Sequence, residues 1–206
     1  MSVATINWQG FLQDAIEFEK IANSLGDTWT LYKKDDDEGN TYLIYEQKIP
    51  NTIDKTNFNY PLEDRSCGFE DEKAVVLEPT YNLLKLEYHI LYSISYEVPV
   101  LYFRIYRDDG SLVGLEDAWH IFRCNNRNSR CTDGTSSPTD ADMLNIMTQM
   151  DHPILRKPYF AIHPCRTAQL LGQAGISRNR ILTFISLVGP YVKLVLRNEY
   201  GTPYAE

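Results

Sequence analysis

The sequence predicts an α+β fold, one antiparallel meander sheet with helices packed on one face, and three observations carry that prediction. Residues 7–25 repeat apolar side chains at helical spacing. Residues 83–95 and 98–106 are consecutive aromatic and β-branched runs joined by a short bend. After them come an irregular cysteine-bearing segment and further helical stretches, an order that suits a sheet with helices to one side.

Within 7–25, Phe11, Leu12, Ala15, Ile16, Ile21, Ala22 and Leu25 share one helical face. Thr5 or Asn7 supplies the N-cap, and Gly26 supplies the stop. A hairpin follows, in which 29–32 leads through the charged turn KKDDDEGN into 41–49, TYLIYEQKI. The acidic run lacks the ligand spacing of a calcium loop and reads as a solvated turn. Residues 50–80 keep no period and are expected to form a long, partly mobile loop in which Cys67 is incidental.

The strands 83–95 and 98–106 bend at 96–99, and Asp109-Gly110 closes the second with a tight turn. His89, on a heavily apolar strand, is expected to be a hydrogen-bonded structural histidine. Residues 115–124 read as a short amphipathic helix with Leu115, Ala118, Trp119 and Phe122 inward and His120 on the other face. The polar stretch 125–138 is a second mobile loop. Thr139 or Asp140 then caps a helix over 141–150, with Met143, Leu144, Ile146 and Met147 inward. A helix over 167–172, a helix or strand over 180–188 ending at Gly189-Pro190, and a final apolar strand over 191–196 complete the chain. No internal repeat is visible, and residues 1–206 are expected to form a single domain.

Hydrophobic residues make up 43% and charged residues 23%, proportions that suit a globular chain with a real core. No apolar run approaches the length that crosses a bilayer, and the N-terminus lacks the basic and apolar regions of a signal peptide. A cytoplasmic or nuclear chain with reduced cysteines and no stable membrane insertion is expected. The net charge of −8 argues against a nucleic-acid partner. From Arg156 onward, however, seven cations face two carboxylates. That basic end is either a docking face for an acidic protein surface or a solvated charge pattern. His120, Cys124 and Cys131 lack a fourth ligand, so a zinc site is not expected.

The chemistry concentrates in 148–167, TQMDHPILRKPYFAIHPCRT. Its YFAI suits a buried strand, and alternation along it would place Tyr159, Ala161, His163 and Cys165 on one side. Pro164 has no amide proton, so the strand ends or lies at a sheet edge there, and the thiol is offered at a margin. Arg156, Lys157 and Arg166 flank it in sequence, and nearby cations favour thiolate. The alternative is that Cys165 is a small buried hydrophobe, the usual fate of a free cysteine.

The segments YHILYSISYEVPVLYFR (88–104), LEDAW (115–119), DHPIL (151–155), PYFAIHPCRT (158–167) and SLVGP (186–190) resemble the autophagy-related protein ten family of ubiquitin-like-conjugating enzymes. The resemblance implies a ubiquitin-conjugating-enzyme-like fold with a four-stranded meander. It implies that Cys165 takes the C-terminal glycine of autophagy-related protein twelve as a thioester from autophagy-related protein seven, the activating enzyme. A lysine of autophagy-related protein five then receives the modifier. No metal or cofactor is implied in the enzyme itself.

Two supporting positions follow from the same resemblance. His163 would orient the lysine or bind the developing oxyanion, and Tyr96 would position the incoming amine. For Tyr96, ordinary packing at a strand end is the alternative. Ordinary ubiquitin-conjugating enzymes carry His-Pro-Asn before the cysteine, whereas here His152-Pro153 is followed by Ile154, so His152 is expected only to shape the turn. The meander edge at 96–106 and the loops at 50–80 and 125–138 are the candidate acceptor-binding surfaces. A cysteine hydrolase would need a better-placed histidine base than one two residues before the thiol with proline between. A catalytically inert adaptor of the same fold would be expected to lack the nucleophile.

Overall fold

A computed structural model of the chain describes residues 4–33, 40–51, 83–123, 147–175 and 177–201. The loop expected over 50–80 lies outside the described residues from 52 onward, as does the whole of 125–138. The chain opens with helix α1, Trp8–Ser24. Asn7 is its cap, with Oδ1 accepting the Gly10 N–H at 2.8 Å, and Gly26 follows its end at φ 74°. Phe11, Ala15, Phe18 and Ala22, at helical spacing, are its buried face.

Six strands form one antiparallel sheet: β1 (Thr30–Lys33), β2 (Thr41–Pro50), β3 (Leu83–Ser93), β4 (Val98–Tyr106), β5 (Met147–Asp151) and β6 (Pro158–Ile162). Their spatial order is β1-β2-β3-β4-β6-β5. The expected four-stranded meander is present as β1 to β4, and β6 and β5 extend it beyond β4. That extension covers the expected meander edge at 96–106 in part, where Tyr102 and Phe103 pair with Ala161 and Phe160 of β6.

Alternation along the strands sorts their side chains between two clusters. Leu84, Leu86, Tyr88 and Ile90 of β3 pack with Phe11 and Phe18 of α1 and with the later helices α2 (Leu115–Arg123), α3 (Thr167–Gln173) and α4 (Arg180–Val188). The helices therefore lie on one face. Tyr42, Leu91, Val100, Tyr102, Tyr159 and Ala161 form a second cluster on the other face. In α2 the inward set is Ala118, Ile121 and Phe122, and Leu115, expected inside, is exposed. The buried positions are i, i+3 and i+4, and Leu115, the first residue of the helix, shares their face but lies at its exposed end.

Two expected elements are corrected. The helix predicted over 141–150 is replaced at its C-terminal end by β5; residues 141–146 lie outside the described part. Methionine and glutamine favour a helix, but five ladder pairs with β6, from Met147↔Ile162 to Asp151↔Pro158, override that propensity. The strand predicted over 191–196 is also absent. α4 runs into a short 3-10 turn, Gly189–Val192, then Lys193 adopts φ 61° and the Leu194 N–H returns to the Gly189 carbonyl at 2.9 Å. A Cβ at Gly189 would collide with the Leu194 carbonyl oxygen, so this reversal requires glycine.

The far face buries a polar chain that begins at the turn joining β5 to β6. His152 Nδ1 accepts the N–H groups of Ile154 (3.2 Å) and Leu155 (3.1 Å), so the proton sits on Nε2, which donates to His89 Nδ1 at 3.0 Å. His89 Nε2 in turn lies 3.3 Å from Glu87 Oε1, which also accepts the Tyr159 hydroxyl at 2.6 Å. Both expectations for these histidines hold: His89 is buried and structural, and His152 shapes the turn.

Burial, reinforced by Arg104, pushes His89 down to about 4. Burial, His89 and Arg104 push His152 to about 3. The imidazole of His89 is thus neutral near pH 7, and its contact with Glu87 is a hydrogen bond and not an ion pair. Both folded-state values lie below the unfolded one near 6.5, so the unfolded chain binds more protons as pH falls. Stability should be complete above about pH 6.5 and fall toward pH 4 by up to about 1.4 kcal/mol per pH unit for each histidine. Urea unfolding at pH 7, 6 and 5 measures this, and an unchanged midpoint across that range would contradict it.

Candidate active site

Topology explains why residues far apart in sequence meet here. β4 and β6 are antiparallel, with Tyr102 opposite Ala161 and Phe103 opposite Phe160. The N-terminal end of β4 therefore lies beside the C-terminal end of β6. The β3–β4 turn, residues 94–97, and the segment starting at His163 consequently fall at the same end of the sheet.

The strand alternation expected to run from Tyr159 through Cys165 stops at Ile162. Pro164 cannot donate to a ladder, and the chain tightens into the 3-10 turn Pro164–Arg166, which leads directly into α3. His163 is the cap of that turn, extended at φ −60° and ψ 128°, and its Nδ1 accepts the Cys165 N–H at 3.2 Å. Pro164 at the first turn position fixes the helical φ and is itself buried. Cys165, one residue on, is a free and exposed thiol, so the reading of a buried hydrophobe is set aside. Cys67, Cys124 and Cys131 lie outside the described residues.

Tyr96 reaches the same place from the hairpin. It is 44% exposed, and its ring meets that of His163 edge-on, with centroids 5.7 Å apart and planes at 80°. Glu97, the next residue, holds φ 51°, and its N–H bonds to the Ser93 carbonyl at 2.8 Å. This left-handed residue closes the hairpin and sets the direction of Tyr96; no glycine or asparagine marks it in the sequence.

Other expected neighbours are elsewhere. Arg156, Lys157 and His152 sit at the β5–β6 turn, at the opposite end of β6, about 16 Å of strand away. Of the three flanking cations, Arg166 alone stays with the thiol, as its chain neighbour. His152 is fully buried and offers nothing to a substrate. Among the described residues no cluster of histidine, cysteine and carboxylate side chains could hold a metal ion.

The arrangement can offer an accessible sulfur nucleophile on a rigid turn. Because His163 Nδ1 accepts from an amide, the neutral ring carries its proton on Nε2 and acts there as a donor. It does not act as a base toward the thiol through Nδ1, which counts against a cysteine-hydrolase arrangement.

A family described as autophagocytosis associated protein, active-site domain, matches residues 10–199. Ubiquitin-like-conjugating enzyme ATG10 of Homo sapiens is 32% identical over 209 residues, covering 93% of this chain and 90% of that protein. The enzyme of the same name from Arabidopsis thaliana is 32% identical over 119 residues, 52% of this chain and 48% of its own length. The crystal structure of an autophagic E2, Atg10, is similar in fold, with a TM-score of 0.51 at 16% identity, covering 92% of this chain and 98% of that one.

Proposed function

This chain belongs to the autophagocytosis-associated active-site family of ubiquitin-like-conjugating enzymes, and from that premise we propose that Cys165 carries the modifier as a thioester. The observation that supports this most is an exposed thiol on a turn capped by His163, with Tyr96 against the imidazole. The proposed modifier is autophagy-related protein twelve, delivered by autophagy-related protein seven, and the acceptor is a lysine of autophagy-related protein five. The reaction belongs in the cytoplasm, carried out by residues 1–206 as one unit. No described helix is long and apolar enough to cross a membrane.

Two acyl transfers make up the cycle. The Cys165 thiolate attacks the thioester carbonyl on the activating enzyme, and that enzyme's cysteine leaves as thiolate. The acceptor's neutral ε-amine then attacks the new thioester carbon. The C–S bond breaks, Cys165 leaves as thiolate, the amine gives up a proton to solvent, and an isopeptide bond remains. Each step passes through a tetrahedral oxyanion, and for that of the second step His163 Nε2–H is the proposed donor. Tyr96, half-exposed beside that ring, is proposed to guide the amine.

The test is a two-stage assay: charging by the activating enzyme with ATP, then a chase with the acceptor. Wild type should gain a reductant-sensitive adduct that passes to the acceptor; release of free modifier in preference to transfer would contradict conjugation. His163→Ala should charge normally and discharge about 10²-fold more slowly, the size of losing one oxyanion donor. His163→Asn, which can both cap the turn and donate, should recover most of the rate. Unchanged discharge by His163→Ala would remove the imidazole from the mechanism.

A further inference from the structure

Tyr96 and Cys165 belong to different elements, and the β4–β6 ladder brings them to one end of the sheet without pairing the hairpin tip to the Cys165 turn. Its pairs, Tyr102↔Ala161 and Phe103↔Phe160, lie well below the hairpin tip. A different segment spans the gap. Residues 4–6, ahead of α1, donate the Ala4 N–H to the Ala168 carbonyl at 3.0 Å and the Ile6 N–H to the Glu97 carbonyl at 2.8 Å. Ala168 is the second residue of α3, three beyond the thiol, and Glu97 directly follows Tyr96.

The bridge is anchored. Ile6 is 1% exposed, and its carbonyl accepts the Tyr92 hydroxyl at 2.9 Å. The Tyr92 ring packs on Trp8 and Phe11 at 5.7 and 5.5 Å, which fixes the start of α1 against the end of β3. The left-handed backbone at Glu97 matters here, because that residue both closes the hairpin through its N–H and receives the strap through its carbonyl.

We propose that residues 4–6 are a positioning strap for the second acyl transfer, setting the gap between the Tyr96 hairpin and the Cys165 turn. This deepens the conjugation reading and rests on it. Charging brings a thiol to a thioester held by the activating enzyme. Discharge is the step expected to need the amine-guiding hairpin and the thioester at a fixed separation. Ala4, Ile6 and Tyr92 act through other residues and touch no substrate in this account.

Two variants of the full chain test it. Ala4→Pro removes the amide that holds Ala168. Tyr92→Phe keeps the ring and removes the hydroxyl on Ile6. Each is charged with autophagy-related protein twelve, then chased separately with autophagy-related protein five and with hydroxylamine, a small nucleophile that needs no guidance. The double variant should charge normally and discharge to hydroxylamine normally, while transfer to the protein acceptor falls about tenfold or more. In the same variant, the His163 ring-proton resonances should shift toward those of Tyr96→Leu, as the edge-on ring moves away.

Transfer and resonances both unchanged in the folded variants would overturn the strap and leave the conjugation reading standing. A parallel loss in charging, hydroxylamine discharge and acceptor transfer would also overturn it, showing a merely structural segment. Wild-type protein that takes no thioester would overturn the conjugation reading and the strap with it.

Discussion

Cys165→Ala protein should form no covalent adduct with the modifier, and Cys165→Ser should form at most an adduct that survives reductant. Sulfur is the one nucleophile in the described site that joins exposure to acyl-transfer chemistry. A thiolate is available at neutral pH in a few per cent of free cysteines, and its thioester remains reactive toward amines. A serine hydroxyl in the same turn ionises far less, and the ester it forms is a poorer acyl donor to lysine. Overall conjugation by either variant should fall by at least about 10³-fold, as expected when a nucleophile is removed. Because the Cys165 side chain is exposed and the turn is held by His163, Pro164 and the start of α3, neither variant should lose stability. Thermal unfolding alongside the gel assay checks that point. Conjugation by Cys165→Ala at a rate near wild type would place the chemistry on another residue.

His152→Ala should act in the opposite way, on stability and not on chemistry. The substitution leaves the amides of Ile154 and Leu155 and Nδ1 of His89 without their partner inside the second cluster. Buried polar groups stripped of a hydrogen bond cost about 1–3 kcal/mol each, and relaxation of the turn recovers part of that. A net loss of about 3–4 kcal/mol is expected, at the upper end of single substitutions. The variant should also show a flatter decline in stability between pH 7 and 5, since one of the two depressed histidines is gone. In the folded fraction, measured at low temperature, charging at Cys165 should be normal, because His152 lies at the other end of β6. Stability like that of wild type with lost charging would instead make His152 part of the reaction.

The parts of the fold that were legible in the sequence are those where local pattern and burial agree. Asn7 and Gly26 bracket α1, and of the expected apolar set Phe11, Ala15 and Ala22 are buried, while Phe18, outside that set, completes the buried face and Leu12 and Ile16 are only half-buried. β4 occupies 98–106 as expected, and β3 ends two residues before the predicted limit, where the chain turns toward Glu97. The strand β5 was not legible, because Thr148 to Asp151 have no alternation and only their pairing with β6 makes them a strand. The 3-10 turn after Gly189 was missed for a similar reason: apolar residues there satisfy a core without forming a ladder.

In the site, the HPC spacing pointed to the right turn but to the wrong geometry. Pro164 ends the strand, so His163 serves as a cap instead of a same-face neighbour. Tyr96 was found through family resemblance, while the antiparallel β4–β6 pairing that brings it there depends on long-range contacts. The strap at Ala4–Ile6 works almost wholly through backbone groups, which leave no mark in residue identity.

Peptide mapping of the charged protein, digested without reductant and read by mass spectrometry, tests the central claim most directly. The account predicts the modifier's C-terminal glycine linked to the peptide that contains Cys165, with the linkage lost on adding thiol. Linkage to the peptides of Cys67, Cys124 or Cys131, or no linkage with an activating enzyme of proven activity, would contradict it.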